Sequence, residues 1–261
     1  MKVVRTIGEL QRAREALAGA VGLVPTMGAL HAGHLALLAA ARRENDAVVM
    51  SLFVNPAQFD DPADLAAYPR DEERDLRLAE EAGVDLVFAP SAGELYPPGY
   101  ETWLEVTEAS CGLEGAVRPG HFRGVATVCL RLFLLTRPQR AYFGQKDAQQ
   151  VAVVRALVRD LALPLEIRVV PTVRDADGLA LSSRNVRLSP DERRRALALP
   201  KALEAGARAP DPVAATRAAL DGLAPDYVEV LDLGDATVLA AAIRIGATRL
   251  IDNVLLEGDL R

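Results

Sequence analysis

Three histidines occur in 261 residues, and two of them stand three apart in one glycine-bearing stretch: Pro25-Thr26-Met27-Gly28-Ala29-Leu30-His31-Ala32-Gly33-His34. The stretch follows a short apolar run, 21–24, and opens an apolar-periodic one from Leu35. Strand, glycine turn and helix start is a layout that presents bare backbone N–H groups to a phosphate. Positions three apart on a first helical turn share a face, so both imidazoles meet the same spot. Backbone donors and imidazoles converging in this way suit a polyphosphate whose negative charge rises during reaction. Two solvated imidazoles at an ordinary helix start are the plainer alternative. Zinc is disfavoured, because catalytic zinc usually takes three protein ligands and no third stands nearby.

Three further motifs carry polar groups in similar settings. In Phe53-Val54-Asn55-Pro56-Ala57-Gln58-Phe59 a carboxamide offers both a donor and an acceptor. Gln58 can therefore read a hydroxyl and a carboxylate together, and Asn55 either does similar work or holds the turn before Pro56. In Phe143-Gly144-Gln145-Lys146-Asp147-Ala148-Gln149-Gln150, Gly144 permits close backbone approach and Lys146 meets a phosphate as a point charge. Lysine occurs elsewhere only at Lys2 and Lys201, every other base being arginine, which singles Lys146 out. Asp147 either caps a helix or accepts from a ribose hydroxyl, and Gln150 shares its face. In Leu181-Ser182-Ser183-Arg184-Asn185, two hydroxyls and a guanidinium can wrap a leaving triphosphate end; an N-cap with a surface arginine is the alternative. A fifth loop, Arg118-Pro119-Gly120-His121-Phe122-Arg123-Gly124, holds the last histidine.

The sequence has no GxxxxGK[ST] loop, no GxSxG elbow and no HExxH pair. Its parts suit cleavage of ATP between the α and β phosphates, with a carboxylate activated as its adenylate and catalysis mostly electrostatic. A nucleotidyltransferase with another small acceptor, or a non-catalytic ATP-binding sensor, are the rival readings.

The elements that position these motifs follow from periodicity. Helices are predicted at 6–18, 32–44, 71–82, 124–136 and 147–161, and strands at 21–26, 47–54, 85–90, 140–144 and 165–170. The unbroken apolar run 47–54 has the pattern of a strand buried on both faces. This alternation predicts an α/β fold, a Rossmann-like doubly wound parallel sheet. The motifs at 25–34, 53–59 and 143–147 all begin where predicted strands end, where such sheets bind ligands. From about Pro171 the texture changes to a polar segment, helices at 190–207 and 212–222, and strands near 226–232 and 249–256. The expected domains are therefore 1–171, binding nucleotide and substrate, and 172–261, a smaller C-terminal α+β lid.

Net charge is −6, which argues against general binding to nucleic acid or an anionic membrane. No apolar stretch approaches a membrane span and the first residues lack the apolar run of a signal peptide. Two cysteines, Cys111 and Cys129, do not form a framework, and a reduced cytoplasmic setting is expected.

The motifs PTMGALHAGH, FVNPAQF, RPGHFRGV, FGQKDAQQ and DGLALSSRN, in that order and with Asp252-Asn253 near the end, span nearly the whole chain. In them the chain resembles the pantothenate synthetase (pantoate–β-alanine ligase) family, within the HxGH nucleotidyltransferases that include class I aminoacyl-tRNA synthetases. The resemblance implies condensation of (R)-pantoate with β-alanine and ATP, through a pantoyl adenylate, to pantothenate, AMP and pyrophosphate. It implies that Met27, Gly28, Ala29, Leu30, His31, Ala32, Gly33 and His34 line the ATP site, with His34 the catalytic acid and His31 assisting on the phosphates. Gly144, Gln145, Lys146, Asp147, Val173, Leu181, Ser182, Ser183 and Arg184 complete that site, and Gln58 and Gln150 hold pantoate. Mg²⁺ is expected on the ATP phosphates rather than in a protein cage, and a homodimer is expected. Some relatives carry an acidic pair where this chain reads Arg74-Asp75. No protein ligand to Mg²⁺ is carried over from there, and the 71–82 helix is expected to present a solvated, charge-paired face.

Overall fold

In a computed structural model of the chain, which describes residues 1–260, the elements begin with β1 (Lys2–Val4), α1 (Ile7–Glu15), β2 (Val21–Thr26), α2 (Ala32–Glu44) and β3 (Ala47–Leu52). Next come α3 (Pro62–Ala66), α4 (Glu72–Glu81), β4 (Leu86–Phe88), α5 (Ala92–Leu95), α6 (Leu113–Val117), α7 (His121–Thr136), β5 (Arg140–Gly144), α8 (Ala148–Asp160) and β6 (Glu166–Val170). The chain continues through α9 (Pro190–Ala196), α10 (Ala198–Ala207), α11 (Pro212–Ala219), β7 (Pro225–Asp232), β8 (Ala236–Ile245) and β9 (Thr248–Gly258). Short 3-10 turns occupy Pro56–Gln58, Gln145–Asp147 and Ser183–Arg187.

The strands form a six-stranded parallel sheet of order β1-β4-β3-β2-β5-β6 and a three-stranded antiparallel sheet β7-β8-β9. This is the doubly wound α/β fold with a smaller α+β part that the alternation predicts. β3 lies between β4 and β2, and its first five residues are buried, as expected for a strand covered on both faces. The strand order reverses between β2 and β5; ligands of such sheets gather beyond the carboxyl ends of the strands at that switch. By internal contacts the chain divides into two compact units: Met1–Phe143 with Ala152–Arg168, and Gly144–Val151 with the chain from Val169 onward.

Local sequence accounts for most element ends. Thr6 and Glu9 form a reciprocal capping box at the start of α1. α7 begins at His121, earlier than predicted, because Gly120 adopts φ 81 and ends the preceding turn. The single helix predicted at 190–207 is two helices. Pro200 has no N–H and its ring would strike the carbonyl of residue 196, so the break after Ala196 leaves Pro200 in the first turn of α10. β8 has no counterpart among the predicted strands. Its run Ala240-Ala241-Ala242 favours helix intrinsically, yet it is the central strand, because small residues let α10 pack against the sheet through Leu199, Leu203, Leu239 and Ala241.

Candidate active site

In the first unit the chain leaves β2 at Thr26, whose Oγ1 donates to the Ser51 carbonyl at 2.7 Å. Gly28 and Ala29 then take left-handed φ values of 83° and 51°. Glycine is required at 28 because a Cβ there would sit 2.8 Å from Asp75 Oδ2 and 2.9 Å from Leu52. Ala29 has no such freedom, and its conformation costs about 1–2 kcal/mol. Asp75, on α4, offsets that cost. Its Oδ2 accepts the Ala29 N–H at 2.8 Å and its Oδ1 the Leu30 N–H at 2.8 Å. Arg74 donates to the Leu30 carbonyl at 3.0 Å, so neighbouring residues grip both sides of one peptide segment.

Two expectations are corrected here. The turn does not present all its N–H groups bare, since those of Ala29 and Leu30 belong to Asp75. Nor is α4 simply a solvated charged face: Asp75 is 1 % exposed and shares its buried side with Ala79. Sequence reasoning treats Asp75 only as a departure from an acidic pair. The available signal is its i,i+4 spacing from Ala79, which puts a carboxylate on the apolar side of a helix.

His31 and His34 cap α2 reciprocally. The Gly33 N–H donates to His31 Nδ1 at 3.1 Å, and the His31 N–H donates to His34 Nδ1 at 3.3 Å. The ring centroids are 4.1 Å apart. A ring nitrogen that accepts carries no hydrogen, so this network assigns the Nε2–H tautomer of the neutral imidazole to both rings. The histidines thus replace the usual Ser and Glu of a capping box, each with its ring hydrogen on Nε2.

Asn55 is 1 % exposed and caps the Pro56–Gln58 turn. Its Oδ1 accepts from the Ala57 N–H at 3.2 Å and the Tyr96 hydroxyl at 3.0 Å, while its Nδ2 donates to Gln58 Oε1 at 3.0 Å and the Gly124 carbonyl at 3.1 Å. All four places of the carboxamide are filled inside the protein, so of the two roles open to Asn55 the structure fits the turn-holding one. Gln58 Oε1 accepts from Asn55 with one of its two lone pairs, which orients the amide while leaving it both donor and acceptor capacity.

The Arg118–Gly124 loop, left without a function by its sequence, holds the same turn. The Gln58 carbonyl accepts from Arg118 Nη2 at 3.2 Å and from His121 Nδ1 at 2.8 Å. His121 Nδ1 must donate there, the opposite tautomer to that of His31 and His34. Gly124 lets α7 approach the turn: a Cβ would sit 2.2 Å from the Ala57 carbonyl oxygen. Tyr96 stacks on Trp103 at 5.7 Å, Arg123 lies over the Trp103 ring at 4.8 Å, and burial pushes the Tyr96 phenol up.

The second unit holds the remaining candidates. Lys146 is in the Gln145–Asp147 turn with Nζ 3.5 Å from Asp147 Oδ1. Gly144 has φ −86°, which any residue adopts, and a Cβ there would meet nothing within 4 Å. Gln150 is half-buried in the first turn of α8. Val173 accepts the Leu181 N–H at 3.0 Å, and Arg174 forms a bridge with Ala180, so 173–181 is a narrow reversing loop. Ser182 Oγ accepts from the Arg184 N–H at 3.2 Å, the N-cap role foreseen as an alternative. Ser183 and Arg184 are half-buried. Arg193 spans Asp177 at 2.8 Å and Asp175 at 2.6 Å and holds the Asp177 carboxyl below the usual range. Among the described residues no group of three or more His, Cys, Asp or Glu side chains is arranged to hold a metal ion. No helix among them is long and apolar enough to cross a membrane.

Comparison with known proteins gives the same outline. The family described as pantoate-beta-alanine ligase matches residues 2–255. A pantothenate synthetase of Roseiflexus castenholzii is 54 % identical over 98 % of this chain and all of that protein. One of Chloroflexus aurantiacus is 52 % identical over 99 % of both chains. Among solved structures, pantothenate synthetase from Thermus thermophilus superposes with a TM-score of 0.92 at 49 % identity, covering 98 % of this chain and 99 % of that one. Pantoate-beta-alanine ligase from Francisella tularensis, complexed with beta-gamma ATP and beta-alanine, superposes with a TM-score of 0.86 at 36 % identity over the whole of both chains.

Proposed function

The chain belongs to the pantoate-beta-alanine ligase family, and we propose that it joins (R)-pantoate to β-alanine in two steps, through a pantoyl adenylate. It is a ligase that uses ATP. In the first step the pantoate carboxylate attacks the α-phosphorus and pyrophosphate leaves with the bridging oxygen. In the second the neutral amine of β-alanine attacks the acyl carbon and AMP leaves.

The observation that carries this mechanism is the reciprocal imidazole cap. With both Nδ1 atoms held as acceptors, His34 directs an Nε2–H to the α-phosphate as charge develops, and His31 directs one to the departing phosphates. Donors of this kind are worth about 10²–10³ in rate. The turn they stand on, residues 27–34, forms one part of the ATP site. Gly144, Gln145, Lys146, Asp147, Val173, Leu181, Ser182, Ser183 and Arg184 also serve ATP, Lys146 by its charge and Ser182 to Arg184 on the pyrophosphate. Gln58 and Gln150 bind pantoate, with Asn55 supporting Gln58 rather than touching substrate.

Both Asp75 oxygens already accept backbone N–H groups, so that carboxylate serves the turn. Mg²⁺ would be carried on the ATP phosphates, where it would screen their charge. A homodimer in the cytoplasm, with small-molecule substrates alone, completes the proposal.

The test is single-turnover pyrophosphate release from ATP, Mg²⁺ and pantoate with β-alanine left out. A stoichiometric burst that disappears in His34→Ala, with circular dichroism unchanged, is expected. Release that requires β-alanine would rule out the stepwise route, and a normal burst from His34→Ala would remove that residue from the first step.

A further inference from the structure

Asp252 and Asn253 are consecutive on β9 and each is 2 % exposed. A carboxylate and a carboxamide buried side by side are costly unless their polar atoms are satisfied. Here the partners lie on two separate loops. Asn253 Nδ2 donates to the Gln145 carbonyl at 2.8 Å and the Lys146 carbonyl at 3.0 Å, and its Oδ1 accepts from Gln145 Nε2 at 3.2 Å. Asp252 takes the Arg174 guanidinium in a fork, at 2.6 and 3.1 Å, and accepts the Asn253 N–H at 2.8 Å. Arg174 in turn donates to the Gly178 carbonyl at 3.2 Å, closing the loop that leads to Ser182.

The chemistry of the Asn253 contact is directional. Both of its donors capture carbonyl oxygens of the Lys146 turn. In a trans peptide the C=O and the following N–H point opposite ways. Fixing the Gln145 and Lys146 carbonyls toward β9 therefore fixes the N–H groups of Lys146 and Asp147 away from it, and sets the backbone from which the Lys146 ammonium extends. β9 itself pairs with β8 along nearly its whole length, so the anchor is rigid.

We propose that Asp252 and Asn253 are positioning residues for phosphate binding: Asn253 acts through Lys146, and Asp252 through Arg174 on the loop that carries Ser182 to Arg184. This rests on the assignment of Lys146 to the ATP phosphates. An apolar pair would fill the same space on β9 but could hold neither the carbonyls nor the guanidinium.

The test uses the full-length chain and reads pantoate-dependent pyrophosphate release. Asn253→Asp keeps the size of the side chain while turning oxygens toward the captured carbonyls. It is expected to lower kcat/KM for ATP by about 10- to 100-fold, with KM for pantoate unchanged. In a Lys146→Ala background the same substitution is expected to cost less than about twofold, because residues acting through one another are not additive. Asn253→Ser, with thermal melts of every variant, covers the case in which Asn253→Asp fails to fold. Wild-type kcat/KM in Asn253→Asp or Asn253→Ser, or an undiminished effect without Lys146, would overturn the proposal. A Lys146→Ala enzyme with normal release would instead remove the assignment on which it rests.

Discussion

Asp75 Oδ1 accepts the N–H of Leu30 at 2.8 Å, joining a helix to a turn that lies 45 positions earlier in the chain. That bond and its twin to Ala29 turn a strained segment into a fixed platform for His31 and His34. The buried carboxylate is thus tied to the histidines through the backbone alone.

Removing the carboxylate should loosen that platform. In Asp75→Ala the buried Leu30 N–H loses its acceptor, at about 1–3 kcal/mol, and the part-buried Ala29 N–H loses its acceptor at a smaller cost; Asp75→Asn should fall between that variant and the parent. Urea unfolding and the rate of pyrophosphate release should follow the same order. An Asp75→Ala chain as stable and as fast as the parent would show that the turn keeps its shape without Asp75.

At Gly124 two effects oppose. Alanine inside a helix is favoured over glycine by about 1 kcal/mol. The new Cβ would lie 2.2 Å from the Ala57 carbonyl oxygen and 2.7 Å from the Gln58 backbone nitrogen, neither of which can swing aside like a side chain. Overpacking of this kind costs about 1–3 kcal/mol, so the clash should win. Gly124→Ala should melt lower than the parent and show a raised KM for pantoate with KM for ATP unchanged. A higher melting temperature would mean that α7 shifts freely over the Pro56–Gln58 turn.

The two cysteines should differ in reactivity. Cys129 is buried in α7, where desolvation pushes its thiol up to about 12, while Cys111 is exposed. A thiol reagent at mildly alkaline pH should modify one cysteine in the native protein and both in denaturant, and Cys111→Ser should remove the fast phase. Rapid modification of both in the native state would contradict the burial of Cys129.

Much of this is legible in the residues themselves. The run 47–54 announces a doubly covered strand, and β2, α2 and β5 lie where periodicity puts them. The pairing of His31 with His34 on one helical turn follows from their spacing alone. These features are local: dihedral preference, a 3.6-residue repeat, or burial of one continuous run decides them.

Other features depend on partners remote in sequence. The i,i+4 spacing of Asp75 from Ala79 sets it apart from Glu72, Glu73 and Arg77 on the same charged helix, but its task appears only when α4 packs beneath the turn after β2. Asn55 is ambiguous between substrate and structure until Gly124 and Tyr96 take its last two hydrogen-bonding places. Asp252-Asn253 is a motif without a task, and β8 is a run of alanines that prefer a helix, until the fold supplies their neighbours. The sequence by itself determined the chemistry available, two imidazoles, one lysine and a set of carboxamides at strand ends, and the order of the elements that carry them. Only the tertiary structure decided which polar groups are occupied by the protein itself, because a hydrogen-bonding group meets its partner only when the fold has brought their two segments together.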